Sequence, residues 1–165
     1  MAGVQPVGLT PLRRTAFMTA APGDAADWPA VVEVSHAWYF KPEGPQLLCS
    51  PAEEKPAPAG DPRPATEDVA AAIERINAVT SLGIRSVTSE WTGLRTFSPD
   101  QAMIVGFDPD APGFFWLVGQ GGTGIQTAPA AGELAAAQIA GEPLPPTLAR
   151  YGVRPQDYGI KRLRR

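Results

Sequence analysis

The chain is poor in the residues that carry most metal and thiol chemistry: it holds one cysteine, Cys49, and one histidine, His36. A lone cysteine closes no internal disulfide, so nothing points to a secreted scaffold held by bridges, and Cys49 is expected to be a buried structural thiol. A lone histidine rules out a multi-histidine metal site and makes a Ser-His-Asp triad improbable, so His36 is expected to be structural. A basic excess is also missing. The formal net charge is −3 and the sequence pI about 5.1, which argues against an obligate nucleic-acid binder. No apolar run is long: Gly113 to Gly119 falls far below the roughly 18 residues of a membrane span. Met1 to Pro6 lacks the basic start and apolar stretch of a secretory signal, and the expected location is the cytoplasm.

Loop-forming residues are plentiful, with 17 glycines and 19 prolines among 165 residues. With 44% hydrophobic residues beside them, the chain reads as a folded domain with many loops rather than a low-complexity segment. Leu12 to Thr19 is a strand candidate, and so are Val31 to Val34 and Ala37 to Lys41. Pro42 to Pro45 interrupts before Gln46 to Cys49 resumes, which predicts a β-hairpin. Pro51 to Pro64 carries five prolines that donate no amide, and is expected to be a mobile surface loop.

A helix follows, with Thr66 as expected N-cap and Glu67 and Asp68 at the positive end of its dipole. Val69, Ile73, Ile76 and Val79 form its apolar stripe and Gly83 its stop. Arg85 to Trp91 and Met103 to Val105 are further strand candidates, separated by a turn at Ser98-Pro99-Asp100, with another turn flanked by Pro109 and Pro112. The continuous apolar run Phe114 to Val118 is expected to be a strand buried on both faces. An Ala-rich helix should span Ala128 to Ala140, with Pro129 in its first turn and Gly141 ending it. The tail carries Arg150, Arg154, Lys161, Arg162, Arg164 and Arg165 against Asp157, and is expected to be solvated or frayed.

The segment between the last strand and helix bears the chemistry. Gly119, Gly121 and Gly124 satisfy G-x-G-x-x-G after a strand and before a helix, the form of a dinucleotide fingerprint. A dinucleotide-binding unit needs a second parallel strand, however, and Gly141 to Pro146 cannot be one. The nucleotide reading is therefore set aside. What stands is a glycine turn backed by a helix N-terminus, whose amides suit a flat ligand gaining negative charge, or equally a tight turn with no ligand.

Several motifs occur together in order: Gly93-Leu94-Arg95, Ser98-Pro99-Asp100 with Ile104-Val105-Gly106, Gly119 to Ile125, and Ala128-Pro129-Ala130. In this the stretch Trp91 to Leu144 resembles the C-terminal region of the D-amino-acid-oxidase-like FAD oxidoreductases, which include glycine oxidase, sarcosine oxidase and D-amino-acid dehydrogenase. Pro11 to Thr15 and Tyr39 to Gly44 resemble parts of that family's substrate-binding domain more weakly. The resemblance implies FAD as cofactor. It implies that Gly119, Gln120, Gly121, Gly122, Thr123, Gly124, Ile125 and Gln126 face the flavin near its pyrimidine end. Arg95 would pair with a substrate carboxylate through its forked guanidinium, and Tyr39 would line the substrate pocket or pack in the core. Some family members carry a histidine or basic residue in the loop, where this chain has Gln120 and Gly122.

The expected fold class is α+β: a mainly antiparallel substrate-domain sheet with a packed helix, then a C-terminal strand, glycine loop and helix of an incomplete FAD-binding domain. Expected divisions are 1–95 for the substrate portion, 96–146 for the FAD-domain segment and 147–165 for the tail. The implied function is oxidation of an amino acid or related amine by hydride transfer to flavin. The chain is expected to be inactive alone, for want of an N-terminal dinucleotide-binding segment, as a truncated gene product, a separate subunit that completes a partner or a fragment of a longer chain. The alternative is a non-catalytic binding or assembly module. The substrate and the electron acceptor stay open.

Overall fold

The computed structural model describes residues 3–164. The chain divides into two units, Leu12–Leu94 on the one hand and Met1–Pro11 with Arg95–Arg165 on the other, and it passes between them within two strands.

The Leu12–Leu94 unit is built on a six-stranded sheet. Its strands are β1 (Thr10–Ala20), β2 (Val31–Val32), β3 (Tyr39–Glu43), β4 (Gln46–Ser50), β5 (Lys55–Pro56) and β6 (Ser89–Phe97). Their order is β2-β3-β4-β1-β5, with β6 also paired to β1. The β2–β3, β3–β4, β4–β1 and β1–β5 pairs are antiparallel. The expected hairpin is present, but its turn is shorter than Pro42 to Pro45. Pro42 lies inside β3 opposite Leu47, and only Gly44 and Pro45 separate the strands. Proline is tolerated there because β2 pairs no further along β3 than Phe40, so the missing amide leaves no ladder partner wanting. The expected strand from Val31 to Val34 stops at Val32. Glu33 turns the chain instead, its carboxylate accepting from the amides of Ser35 and Ala37, and His36 sits exposed in the turn at φ +58°.

The proline-rich segment is not a free loop. Lys55 and Pro56 pair with Arg13 and Leu12, and Lys55 Nζ reaches Asp68 at 2.5 Å. Helix α1 (Thr66–Val79) begins one residue earlier than expected, with Ala65 as its N-cap and Thr66 as its first helical residue. Its buried stripe is Val69, Ala72 and Ile76 with Ile73 beside them, whereas Val79 is 69% exposed and stands outside it. Thr80 ends the helix before Gly83 is reached, its hydroxyl donating to the Ile76 carbonyl, and Asn77 pairs with both backbone groups of Ile84. The stripe packs on Phe17, Trp38, Phe40, Leu47 and Cys49. Burial pushes the Cys49 thiol up to about 12, as befits the structural thiol expected.

The second unit is thinner. Strands β7 (Ile104–Phe107) and β8 (Phe115–Val118) form a two-stranded antiparallel sheet. Helix α2 (Gly124–Ala140), the short α3 (Pro146–Ala149) and 3-10 turns at Pro155–Asp157 and Ile160–Arg162 follow. One apolar cluster of the unit gathers Val7, Ile104, Trp116 and Ile160, and another Val105, Leu134, Ala135 and Leu148, so that neighbouring residues of β7 serve different clusters. The expected double burial of β8 does not hold: Trp116 is buried but Leu117 is 41% exposed, because a strand in a two-stranded sheet has only a thin cover on each side. The tail is not frayed either. Ile160 is 1% exposed, and Arg164 grips Asp108 through two nitrogens at 2.7 and 2.8 Å.

Candidate functional site

The glycine segment is where the second unit departs from regular structure. Helix α2 starts at Gly124, four residues before the expected start, so Pro129 lies inside the helix rather than in its first turn. Its ring is exposed, and its missing amide leaves the Ile125 carbonyl in the first turn without its helical donor. The earlier start means that the turn and the helix N-terminus are one piece. The Gln120 carbonyl accepts from the Thr123 amide (3.1 Å) and hydroxyl (3.0 Å), and the first helical bond runs from the Thr127 amide to the Thr123 carbonyl. The amides of Gly124, Ile125 and Gln126 precede that bond and have no intrahelical acceptor. Ile125 is 97% exposed, so this first turn faces outward. Gly141 closes the far end in the left-handed conformation, as expected.

One glycine of the turn is required by its neighbour on β6, and the next lies against the mobile end of a β6 side chain. Gly121 has φ +55°, and a Cβ there would lie 2.4 Å from the Phe97 ring. A Cβ on Gly122 would lie 2.2 Å from an Arg95 guanidinium nitrogen. The Gly121 amide donates to the Thr96 carbonyl at 3.0 Å, and the Arg95 guanidinium carbon sits 5.4 Å from the centre of the Phe97 ring. Three consecutive residues of β6 thus form the seat of the turn. Gly121 serves this packing first, a duty that spacing alone does not reveal, and it leaves the amide edge of the helix as the open side.

The structure therefore brings Arg95 to the glycine turn, within one unit. Gln120 is folded back, its side-chain amide donating to the Leu117 carbonyl at 3.2 Å. Arg95 itself lies in the body of β6, because β6 runs from Ser89 to Phe97 instead of Arg85 to Trp91. Tyr39 belongs to the other unit. It is half-buried on β3, alternating with the buried, stacked pair Trp38 and Phe40 and outside their cluster. After α2 the chain forms α3 and two 3-10 turns, with no further strand among the described residues. Among the described residues no group of three or more His, Cys, Asp or Glu side chains is placed to hold a metal ion. None of the described helices is long and apolar enough to cross a membrane.

Sequence reasoning missed the groups behind the turn. Ser98 is 3% exposed, and Asp100 is held by Arg162 from the C-terminal turn. The signal available was an acid in Ser98-Pro99-Asp100 and an excess of arginine in the tail, read there as solvated.

Fold and turn together define an α+β protein in which a glycine turn seated on β6 leads directly into the N-terminus of α2. The chain belongs to the FAD dependent oxidoreductase family, whose model matches residues 1–138, and its cofactor is accordingly FAD. Solved structures of similar fold include iminodiacetate oxidase from Chelativorans sp. BNC1, at 19% identity and TM-score 0.72 over 93% of this chain and 40% of that one. L-proline dehydrogenase from P. horikoshii matches at 21% identity and TM-score 0.72, over 97% and 41%. Glycine oxidase from Geobacillus kaustophilus matches at 19% and 0.68, over 84% and 37%. The chain thus spans about 40% of the length of these solved relatives.

Proposed function

We propose that this chain contributes the substrate wall and one edge of the flavin-ring pocket of an oxidoreductase acting on an amino acid or related amine. The observation that carries the reading is the seating of the glycine turn on Arg95 and Phe97, with the first amides of α2 left facing outward. Those amides and the helix dipole fit the electron-accepting, carbonyl-bearing edge of a flavin, which gains negative charge on reduction. Gly119 to Gln126 would hold that edge. FAD held there would supply the hydride-accepting chemistry for oxidation at the carbon that bears the amine. The chain's own contribution is binding and orientation. Arg95, beside the turn, would take a substrate carboxylate through parallel hydrogen bonds; Tyr39 is proposed separately, as a substrate contact of the Leu12–Leu94 unit. No acid–base pair is demanded if the amine enters neutral.

The remainder of the FAD site would come from residues outside this sequence, in the same polypeptide or a partner. The length matched in the solved relatives supports this, as does the absence of a dinucleotide-binding strand pair among the described residues. The substrate portion would correspond to residues 1–95, the flavin-facing segment to 96–146 and the tail to 147–165, in a cytoplasmic enzyme. The test is the visible spectrum of the purified chain with added FAD. Residues 1–165 alone are expected to retain a flavin band far below stoichiometric after purification, binding FAD only weakly, and the band should rise when a polypeptide bearing the missing fingerprint is supplied. A stoichiometric flavin band from the chain alone would overturn the incompleteness. A colourless chain that takes up no flavin even with that polypeptide would favour a non-catalytic binding module.

A further inference from the structure

Arg162 lies in the 3-10 turn Ile160–Arg162, and each of its guanidinium nitrogens is engaged. Nε donates to Asp100 Oδ2 at 2.6 Å, and Nη2 donates to Asp100 Oδ1 at 3.2 Å and to the carbonyls of Ala102 (2.7 Å) and Met103 (3.1 Å). Nη1 donates to the carbonyls of Tyr158 (2.7 Å) and Gly159 (3.2 Å). The side chain is 16% exposed. A planar fork satisfied in this way is a fixed strut, and a lysine could not reproduce it.

The strut holds the turn that joins β6 to β7. Asp100 Oδ1 also accepts from the Ala102 amide at 3.2 Å and lies 2.7 Å from the Ser98 hydroxyl, which is 2.6 Å from the Ala102 carbonyl. On its other side, buried Ser98 meets the glycine turn. A Cβ on Gly119, which has φ +77°, would lie 3.5 Å from the Ser98 amide nitrogen and 3.7 Å from its Cβ. These are ordinary contact distances, so Gly119 and Ser98 are neighbours, with Leu9 beside them at 3.6 Å from the same point. Gly121 is tied to Thr96, two residues before Ser98. The glycine turn thus rests on residues 96–98, and the turn that follows them is locked by Arg162.

We infer that Arg162 is a positioning residue for the flavin-facing turn. It acts through Asp100 and Ser98 to hold Gly119, and with it the open amides of the first turn of α2, in one place. The hydrogen bonds of Arg162 go to Asp100, Ala102, Met103, Tyr158 and Gly159, all outside the glycine turn. The inference rests on the reading that this turn meets the flavin, and its test separates the two.

The test is amide hydrogen exchange, read residue by residue on the whole chain, for the wild type, R162A, R162K and R154A. R154A is the control: it removes the same charge from the same tail, at a residue that forms an exposed pair with Asp157. R162A should speed exchange of the Gly121 amide about tenfold or more while α1 amides keep their protection. R162K should do nearly the same, and R154A should change neither. Millimolar ethylguanidinium should restore part of the protection in R162A. An unchanged Gly121 in R162A, or equal loss at Gly121 and throughout α1, would overturn the inference. Should R162A fail to fold, R162K decides on the same criterion. Added FAD reads the underlying proposal separately. If FAD leaves the Gly119 to Gln126 resonances of the wild type unmoved, the flavin reading fails, while the positioning of the turn is still judged by exchange.

Discussion

The two units solve the problem of cohesion differently. The Leu12–Leu94 unit has one continuous apolar cluster between a sheet and a helix, with Phe17, Leu47, Cys49, Ala72 and Ile76 fully withdrawn from solvent. Its charged network, Arg13 and Lys55 on Asp68, ties the β1 and β5 strands to the start of α1. The other unit splits its apolar residues into two small clusters around two strands. A two-stranded sheet is marginal by itself. Here segments far apart in sequence close over it, Val4, Val7 and Leu9 from one end and Ile160 and Leu163 from the other, and arginines buckle the C-terminal segment down. Apolar burial holds the first unit; directional polar contacts do much of that work in the second. The glycine turn sits on the second, where small losses of polar geometry are felt most directly.

Changes of different chemistry should separate the two. Ile76→Ala empties a fully buried site in the larger cluster and is expected to cost about 3 kcal/mol, measured by denaturant unfolding. A cost well below that of an ordinary buried truncation would break the picture of a single packed core. Gly121→Ala places a Cβ into the Phe97 ring in a left-handed conformation, and should cost about 2 kcal/mol with its effect centred on the glycine turn.

Acid should act selectively. The Arg162 guanidinium beside Asp100, and the Arg164 guanidinium with the Trp116 indole beside Asp108, hold both carboxyls well below the usual carboxylate range. Their lowered values mean that the stability they contribute is complete above the unfolded carboxylate value of about 3.9 and is lost as pH falls through the lower folded values. The indole proton of Trp116, bonded to Asp108 at 2.8 Å, should therefore hold its position through the usual carboxylate range and shift and broaden only well below it, and R164A should move that change up toward about pH 4. An indole signal that stays unchanged as the chain is acidified to unfolding would contradict the buckle. At the small end, Val79→Thr on the exposed side of α1 should stay within about 0.5 kcal/mol of wild type.

Much of the first unit was legible from the sequence because its signals are local. Gln46 to Cys49, the strand around Leu12 to Thr19 and the Val69/Ile76 stripe all stand where periodicity puts them. Departures arise where a long-range partner decides the outcome. Pro42 fits a strand because β2 ends early; Lys55 and Pro56 are strand residues because β1 is there to receive them. Arg162 and Arg164 looked like solvated tail charges because their carboxylates lie about sixty positions back, beyond the reach of any local pattern. In the site, the glycine turn and its helix were readable. That Gly121 is a glycine to admit Phe97 was not, since it depends on β6 running on past Trp91.

The claim that the glycine turn is one edge of a flavin site is tested most directly by titrating the isotope-labelled chain with FAD and following its amide resonances. The account predicts weak, fast-exchange shifts at millimolar FAD, concentrated at Gly119 to Gln126 and extending to Arg95. Shifts centred on the Leu12–Leu94 unit, or no shifts at all, would contradict it.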